Sequence, residues 1–174
     1  PEKYRLSTRG IEVGHIFYFG DKYSKPMNAS VDFNGKKEFV KMGSYGVGVS
    51  RLVGAIIEAK YDDKNEVMNW PVSVSPYECA VLDSGAKTTE HRCSNKANDV
   101  INKLKGIELI VDDTDDSITS KIKKFNLIGV PYQIIIGKKT PEDSIEFREV
   151  GKDSKIIKID NISQVIKTIT DKRR

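Results

Sequence analysis

Two cysteines, two histidines and one tryptophan in 174 residues leave little from which to build a metal centre or a disulfide framework. Cys79 and Cys93 have neither C-x-x-C spacing nor histidine pairs beside them, so zinc is unsupported, no metal ligand is assigned, and reduced thiols are expected. No run approaches the roughly 20 apolar residues of a membrane span, and no signal peptide opens the chain. A cytoplasmic protein is the expectation. A large excess of one charge is missing too. The net charge is +4, and the basic and acidic residues are mixed along the chain, 11 against 9 in residues 1–75 and 18 against 16 in the remainder. Attraction to phosphate depends on clustered Lys and Arg, so this balance neither requires RNA nor forbids it.

What is present is an ordinary globular composition, 38% apolar and 31% charged, long enough for one large domain or two small ones. The most informative stretch is Gly43-Ser44-Tyr45-Gly46-Val47-Gly48-Val49-Ser50-Arg51. Gly43, Gly46 and Gly48 are expected to form a turn that uses positive φ and lets the backbone approach a ligand. Val49, Leu52, Val53, Ile56 and Ile57 then recur at helical spacing, which predicts a helix with one buried face. Arg51 stands in its first turn, where free N–H groups and the positive dipole end favour an anion, and its planar fork adds charge-assisted hydrogen bonds. A triphosphate suits such a site. A tight strand-to-helix turn with a solvated arginine fits the same letters. A P-loop is excluded because Gly-x-x-x-x-Gly-Lys-[Ser/Thr] is absent, and a dinucleotide fingerprint because Arg51 stands where its third glycine belongs.

Upstream, Glu12 to Phe19 reads as a strand, with Val13, His15, Phe17 and Phe19 on one face and Glu12, Gly14, Ile16 and Tyr18 on the other. A histidine among phenylalanines is commonly a core residue. Strict alternation separates Glu12 from His15 unless Gly14 marks a bulge. Met27–Phe33 and Lys36–Met42 flank Asn34-Gly35, a type I′ hairpin signal. The first half is therefore α+β, an antiparallel sheet with a terminal helix. Tyr61–Glu66 is turn-prone, and Trp70-Pro71 with Ser75-Pro76 brackets an extended connector, which places two domains at 1–70 and 76–174.

In the second half strands and helices alternate. Glu78–Leu82 precedes a helix with Ala97, Val100, Ile101 and Leu104 inward. Ile107–Val111 leads to a helix capped by Ser117, with Ile118, Ile122 and Phe125 inward. Tyr132–Ile136, Ile145–Val150 and Ile156–Ile159 are later strands, and Ile162, Val165, Ile166 and Ile169 mark a last helix. This predicts an α/β domain with a mainly parallel or mixed sheet. Asp112–Asp116 reads as a solvated turn and helix N-terminus stabilised by the dipole.

Gly46-x-Gly48-x-x-Arg51 before an apolar helix resembles motif 3 of the class II aminoacyl-tRNA synthetases. Arg9-Gly10-Ile11-Glu12-Val13-Gly14-His15-Ile16-Phe17 with Lys22-Tyr23-Ser24 resembles the matching segment of the bacterial prolyl-tRNA synthetases, and the connector resembles their interdomain junction. The resemblance implies that Arg51, with Gly46 and Gly48, contacts ATP, and that Arg51 is catalytic. It also implies that His15, Ser44 and Glu12 serve proline binding. Val111-Asp112-Asp113 and Leu127-Ile128-Gly129-Val130-Pro131-Tyr132 resemble the anticodon-binding domain shared by prolyl-, threonyl-, histidyl- and glycyl-tRNA synthetases. Where bacterial members continue with Arg and Arg-Pro-Gly, this chain has Thr114-Asp115-Asp116-Ser117-Ile118-Thr119.

The function implied is ATP-dependent activation of L-proline and its transfer to tRNA(Pro), with Mg²⁺ accompanying ATP, in an enzyme that is a homodimer at full length. Motifs 1 and 2 would precede residue 1, where a proline stands and not an initiator methionine. The chain is therefore expected to be the end of a longer protein and nearly inert alone. For anticodon bases, read by hydrogen-bonded edges and stacking, Tyr132, Phe147 and Arg148 are the candidates nearest strands. The alternative is an autonomous RNA-binding or regulatory module without catalysis.

Overall fold

The computed structural model describes residues 2–84 and 93–173. The chain divides into two compact units, Pro1–Glu58 and Ala59–Arg174.

In the first unit, β1 (Gly14–Gly20) precedes a hairpin of β2 (Ser30–Phe33) and β3 (Lys36–Phe39), then β4 (Met42–Val47) and α1 (Val49–Lys60). The β2–β3 turn forms as its residues predict. Asn34 and Gly35 both have positive φ (55° and 77°), and the Asp32 carboxylate accepts from the Gly35 N–H at 2.8 Å. β1 and β4 pair antiparallel, Gly14 opposite Val47 and Phe17 opposite Ser44, with a register shift between Tyr18 and Gly20.

Two expectations are corrected here. The glycine-rich segment is a strand up to Val47, and none of Gly43, Gly46 and Gly48 takes positive φ. Close packing explains two of these glycines: a Cβ on Gly43 would lie 3.2 Å from the Phe17 carbonyl oxygen, and one on Gly48 3.2 Å from the Arg51 Cβ. The apolar face of α1 is also not buried; Val49 is 73% and Val53 52% exposed. Periodicity identifies an apolar face without specifying what covers it.

The second unit adds the short hairpin β5 (Tyr61–Asp62) and β6 (Val67–Met68), then β7 (Cys79–Asp83), α2 (Asn95–Lys103), β8 (Leu109–Asp112), α3 (Ile118–Ile128), β9 (Tyr132–Ile136), β10 (Ser144–Glu149), β11 (Lys155–Lys158) and α4 (Ile162–Thr170). The β5–β6 hairpin packs on the end of α3. Met68 lies against Gly129, and the Trp70 indole N–H donates to the Ile128 carbonyl at 3.0 Å. Residues 59–75 therefore pack with the unit that follows, and the compact units divide earlier than the proline connector.

The main sheet is mixed, in the order β11-β10-β9-β7-β8, with β7, β8 and β9 parallel and β10 and β11 antiparallel additions. Alternation sends Cys79, Val81, Ile134, Ile136, Ile145 and Phe147 into one core with α2 and α4. Ala80, Leu82 and Ile135 enter a second core with Phe125 of α3. Each fully buried Leu or Ile contributes about 1.5–3 kcal/mol. Ser117 caps α3 as expected, accepting from the Ser120 N–H at 3.2 Å, and Gly129 ends it in the left-handed region. Buried Asp83 holds Ser94, the cap of α2, through its backbone N–H at 2.7 Å and its hydroxyl at 3.0 Å.

Candidate functional site

The first-unit candidates converge at the junction of β1, β4 and α1. Residues directly opposed across an antiparallel pair share a face. His15 opposes Gly46 and Phe17 opposes Ser44, so His15, Ser44 and Gly46 lie on one side of the ribbon. The His15 ring stacks on Phe17 at 4.3 Å between centroids, and Phe17 on Phe19 at 6.0 Å. A Cβ on Gly46 would meet nothing within 4 Å, so open space lies over the strand on this face.

Arg51 occupies the first turn of α1 and donates from Nη1 to the Glu12 carbonyl at 2.8 Å. The Gly48 N–H donates to the Val13 carbonyl, also at 2.8 Å. Residues 12–13 are thus tied to the start of the helix twice. The Glu12 bond takes one of the five N–H groups of the guanidinium, whose fork suits an anion. Glu12 departs from its expected position. Strict alternation places it away from His15, but β1 begins only at Gly14, so alternation does not govern residue 12. Its carboxylate lies 3.7 Å from His15 Nδ1, with both side chains more than half exposed. The bulge lies at the far end of β1, not at Gly14.

In the second unit a cavity of about 720 Å³ opens at the carboxyl ends of the parallel strands. Ser84 follows β7, Thr114–Ser117 follow β8, and Gly137-Lys138-Lys139 follow β9; Ile118, Ile122 and Ile135 supply its apolar surface. Ends of parallel strands are the usual ligand position in such sheets. Asp112, within the stretch read as a solvated turn, is 4% exposed. Its carboxylate lies 3.3 Å from Lys121 Nζ and 2.5 Å from Lys124 Nζ, and accepts from the Thr114 hydroxyl at 2.6 Å. Burial alone would raise the Asp112 carboxyl, but Lys124, Thr114 and the charge of Lys121 hold it well below the usual carboxylate range.

On the same sheet face lies a polar cluster. Gln133 is fully buried and pairs across strands with Arg148, and both donate to the Asn126 side-chain oxygen, at 3.2 and 3.0 Å. Among the described residues, Gln133 Oε1 and Arg148 Nε have no hydrogen-bond partner. Burial pulls the Arg148 guanidinium below its ordinary pKa, and Asp153 opposes this.

Tyr132 and Phe147 are corrected. They stack on each other at 5.5 Å with planes 13° apart, 2% and 8% exposed, inside the core shared with α2 and α4. Neither ring offers a free face for a base, because both point to the face of the sheet opposite Arg148. Sequence reasoning missed Asn126, Gln133, Lys138 and Lys139. The available signals were a glutamine inside the apolar run Tyr132–Ile136 and a paired lysine directly after it.

A family model described as "Anticodon binding domain" matches residues 78–169. The chain is 59% identical to the proline--tRNA ligase of Pelagibacter ubique over 168 residues, 95% of this chain and 38% of that relative. It is 50% identical to the proline--tRNA ligase of the Wolbachia of Brugia malayi over 146 residues, 83% of the chain and 33% of the relative. The chain thus spans well under half the length of these curated relatives. Among solved structures, the prolyl-tRNA synthetase of Cryptosporidium parvum complexed with L-proline and AMP superposes with a TM-score of 0.74 at 19% identity, covering 92% of this chain and 36% of that one. This likeness shows the fold.

Proposed function

Because the chain belongs to the family of anticodon-binding domains, we propose that residues 76–174 bind the anticodon arm of tRNA(Pro), and that residues 1–70 complete the catalytic core of a class II proline--tRNA ligase. The observation that carries the ligase reading is the 59% identity to a bacterial proline--tRNA ligase across 95% of the chain. That match runs through both units, which favours a synthetase over a free-standing RNA-binding module. The enzyme acts in the cytoplasm as a homodimer.

The reaction joins proline to ATP as an adenylate, the proline carboxylate attacking the α-phosphate and releasing pyrophosphate. A terminal ribose hydroxyl of the tRNA then attacks the prolyl carbonyl of the adenylate, forming the ester and releasing AMP. Such chemistry is driven by positioning and by charge placed on the phosphates. The open space over Gly46, the Gly48 turn into α1 and the Arg51 fork suit a nucleotide triphosphate. Arg51 lies on its anionic groups, held by the Glu12 carbonyl, while His15, oriented by Phe17 and Glu12, shapes the proline pocket beside Ser44. Mg²⁺ accompanies the ATP phosphates, as is usual in phosphoryl chemistry. The chain covers 38% of the Pelagibacter ubique relative and 33% of the Wolbachia one, and alone it is expected to be nearly inert.

In the second unit the cavity beyond β7, β8 and β9 receives the splayed anticodon bases. Lys138 and Lys139 lie on its rim for phosphates, and the polar side chains of Thr114–Ser117 in its wall offer hydrogen-bonding groups to base edges. The test is a ligase in which this chain replaces the matching segment of the Pelagibacter ubique relative. It should catalyse proline-dependent ATP–pyrophosphate exchange, and exchange with another amino acid but not proline would overturn the reading.

A further inference from the structure

The second unit contains a buried cation that the proposed function does not use. Lys121, on α3, is fully buried, and its ammonium donates to three main-chain carbonyls: Asp83 at 2.7 Å, Asp112 at 2.9 Å and Thr114 at 2.8 Å. Asp83 ends β7, Asp112 ends β8 and Thr114 begins the loop that walls the cavity. All three donors of the ammonium are thereby used, so it has none left for a ligand.

Burying a lone ammonium costs several kcal/mol, and an apolar side chain of similar length would avoid that cost. The cost is offset here because β7 and β8 end at the cavity, where Ser84 and the segment Thr114–Ser117 line it. The carbonyls there need donors, since an unpaired buried main-chain group is itself costly. One ammonium satisfies three of them at a single point, and the Asp112 carboxylate at 3.3 Å balances its charge. The Asp112 side chain in turn accepts from the Thr114 N–H at 3.0 Å and its hydroxyl at 2.6 Å. Ser84 and the 114–117 wall are therefore fixed to one another through α3.

We propose that Lys121 is a positioning residue for RNA recognition: it sets the geometry of the cavity walls at the ends of β7 and β8 without touching the RNA. The proposal rests on the reading that this cavity binds an anticodon loop. Lys121 thus acts differently from Lys138 and Lys139, which stand on the rim. A lysine that contacts phosphate contributes to the salt dependence of binding, about 0.7 in the slope of log K against log salt for each single-strand contact, whereas a lysine that only positions the wall contributes nothing to it.

The experiment measures binding of a labelled proline anticodon stem-loop to the 174-residue chain between about 50 and 200 mM salt. Lys121→Gln keeps two donors without charge, and Lys121→Met keeps none. The expected result is affinity weakened about tenfold or more in Lys121→Met, less in Lys121→Gln, with the salt slope of the unaltered chain in both. Lys139→Gln should instead lower the slope. Unchanged affinity in a folded Lys121 variant with a lowered melting temperature would overturn the proposal, leaving Lys121 only a stabilising role. A reduced slope would also overturn it, making Lys121 a phosphate contact. If both variants unfold, amide exchange in the unaltered chain decides: protection at 113–117 equal to that of β7 and β8 supports the proposal, and exchange at the rate of an open loop overturns it. Failure of the unaltered chain to bind any stem-loop would instead refute the anticodon reading itself.

Discussion

Arg51→Ala separates a phosphate-binding arginine from a solvated one. In the structure the side chain makes one exposed hydrogen bond, from Nη1 to the Glu12 carbonyl at 2.8 Å, and the same two segments remain tied by the Gly48 N–H on Val13. Losing one exposed bond of this kind costs about 0.5–1.5 kcal/mol at most, so the fold should survive. Removing a preorganised charge from a site where phosphate charge develops costs about 10²–10³-fold in rate. The assay is proline-dependent pyrophosphate exchange in the ligase carrying this chain, with the melting temperature measured in parallel. Arg51→Lys should fall between, because an ammonium cannot hold the Glu12 carbonyl and also present a planar fork. Exchange within about threefold of the unaltered ligase would refute the argument and return Arg51 to the solvent.

His15→Ala should raise the KM for proline more than the KM for ATP, since His15 lies on the Ser44 and Gly46 face of the ribbon; equal effects on both, with a lowered melting temperature, would make it a packing residue. Gly129→Ala should destabilise the chain by roughly 3 kcal/mol or more in urea titration, because a Cβ there would lie 2.5 Å from the Met68 carbonyl oxygen at a φ of +82°. The carboxyl of Asp112 is held below its ordinary value of 3.8, and that of Glu78, paired with Arg173, below 4.5. Their contribution is therefore complete above those values and is lost progressively as the pH falls from them toward the depressed folded values. The urea midpoint should begin to drop below about pH 5 and keep dropping below pH 3, and Asp112→Asn should flatten that drop; an unchanged pH profile would contradict the assigned ion pairs.

Local chemistry made much of this architecture legible. Asn34-Gly35 specified its hairpin because both residues tolerate positive φ, and Ser117 capped α3 because its hydroxyl reaches the Ser120 N–H. The alternation within Tyr132–Ile136 was harder to read, since a strand covered on both faces is apolar throughout and hides which residues face which way. Tyr132 and Phe147 looked like stacking platforms, yet both point into the core, while Gln133 and Arg148 point to the other face. Gly43 and Gly48 are ambiguous for a related reason: close approach, to Phe17 across the strand pair and to Arg51 of α1, demands the same residue as positive φ. Glu12 and His15 came together because β1 starts two residues later than its apolar pattern suggests. Lys121 carried no local signal, as its three carbonyl partners come from segments 7 to 38 residues away.

Proline anticodons share two guanines, so the most direct test is the affinity of the 174-residue chain for a proline anticodon stem-loop beside one with both of them changed, at one fixed physiological salt concentration. Phosphate contacts are common to the two RNAs, so only base reading can separate them. The proline stem-loop should bind tighter by about tenfold or more, from hydrogen bonds to base edges worth roughly 1–3 kcal/mol each. Equal affinity for the two would contradict it and leave only nonspecific RNA contact.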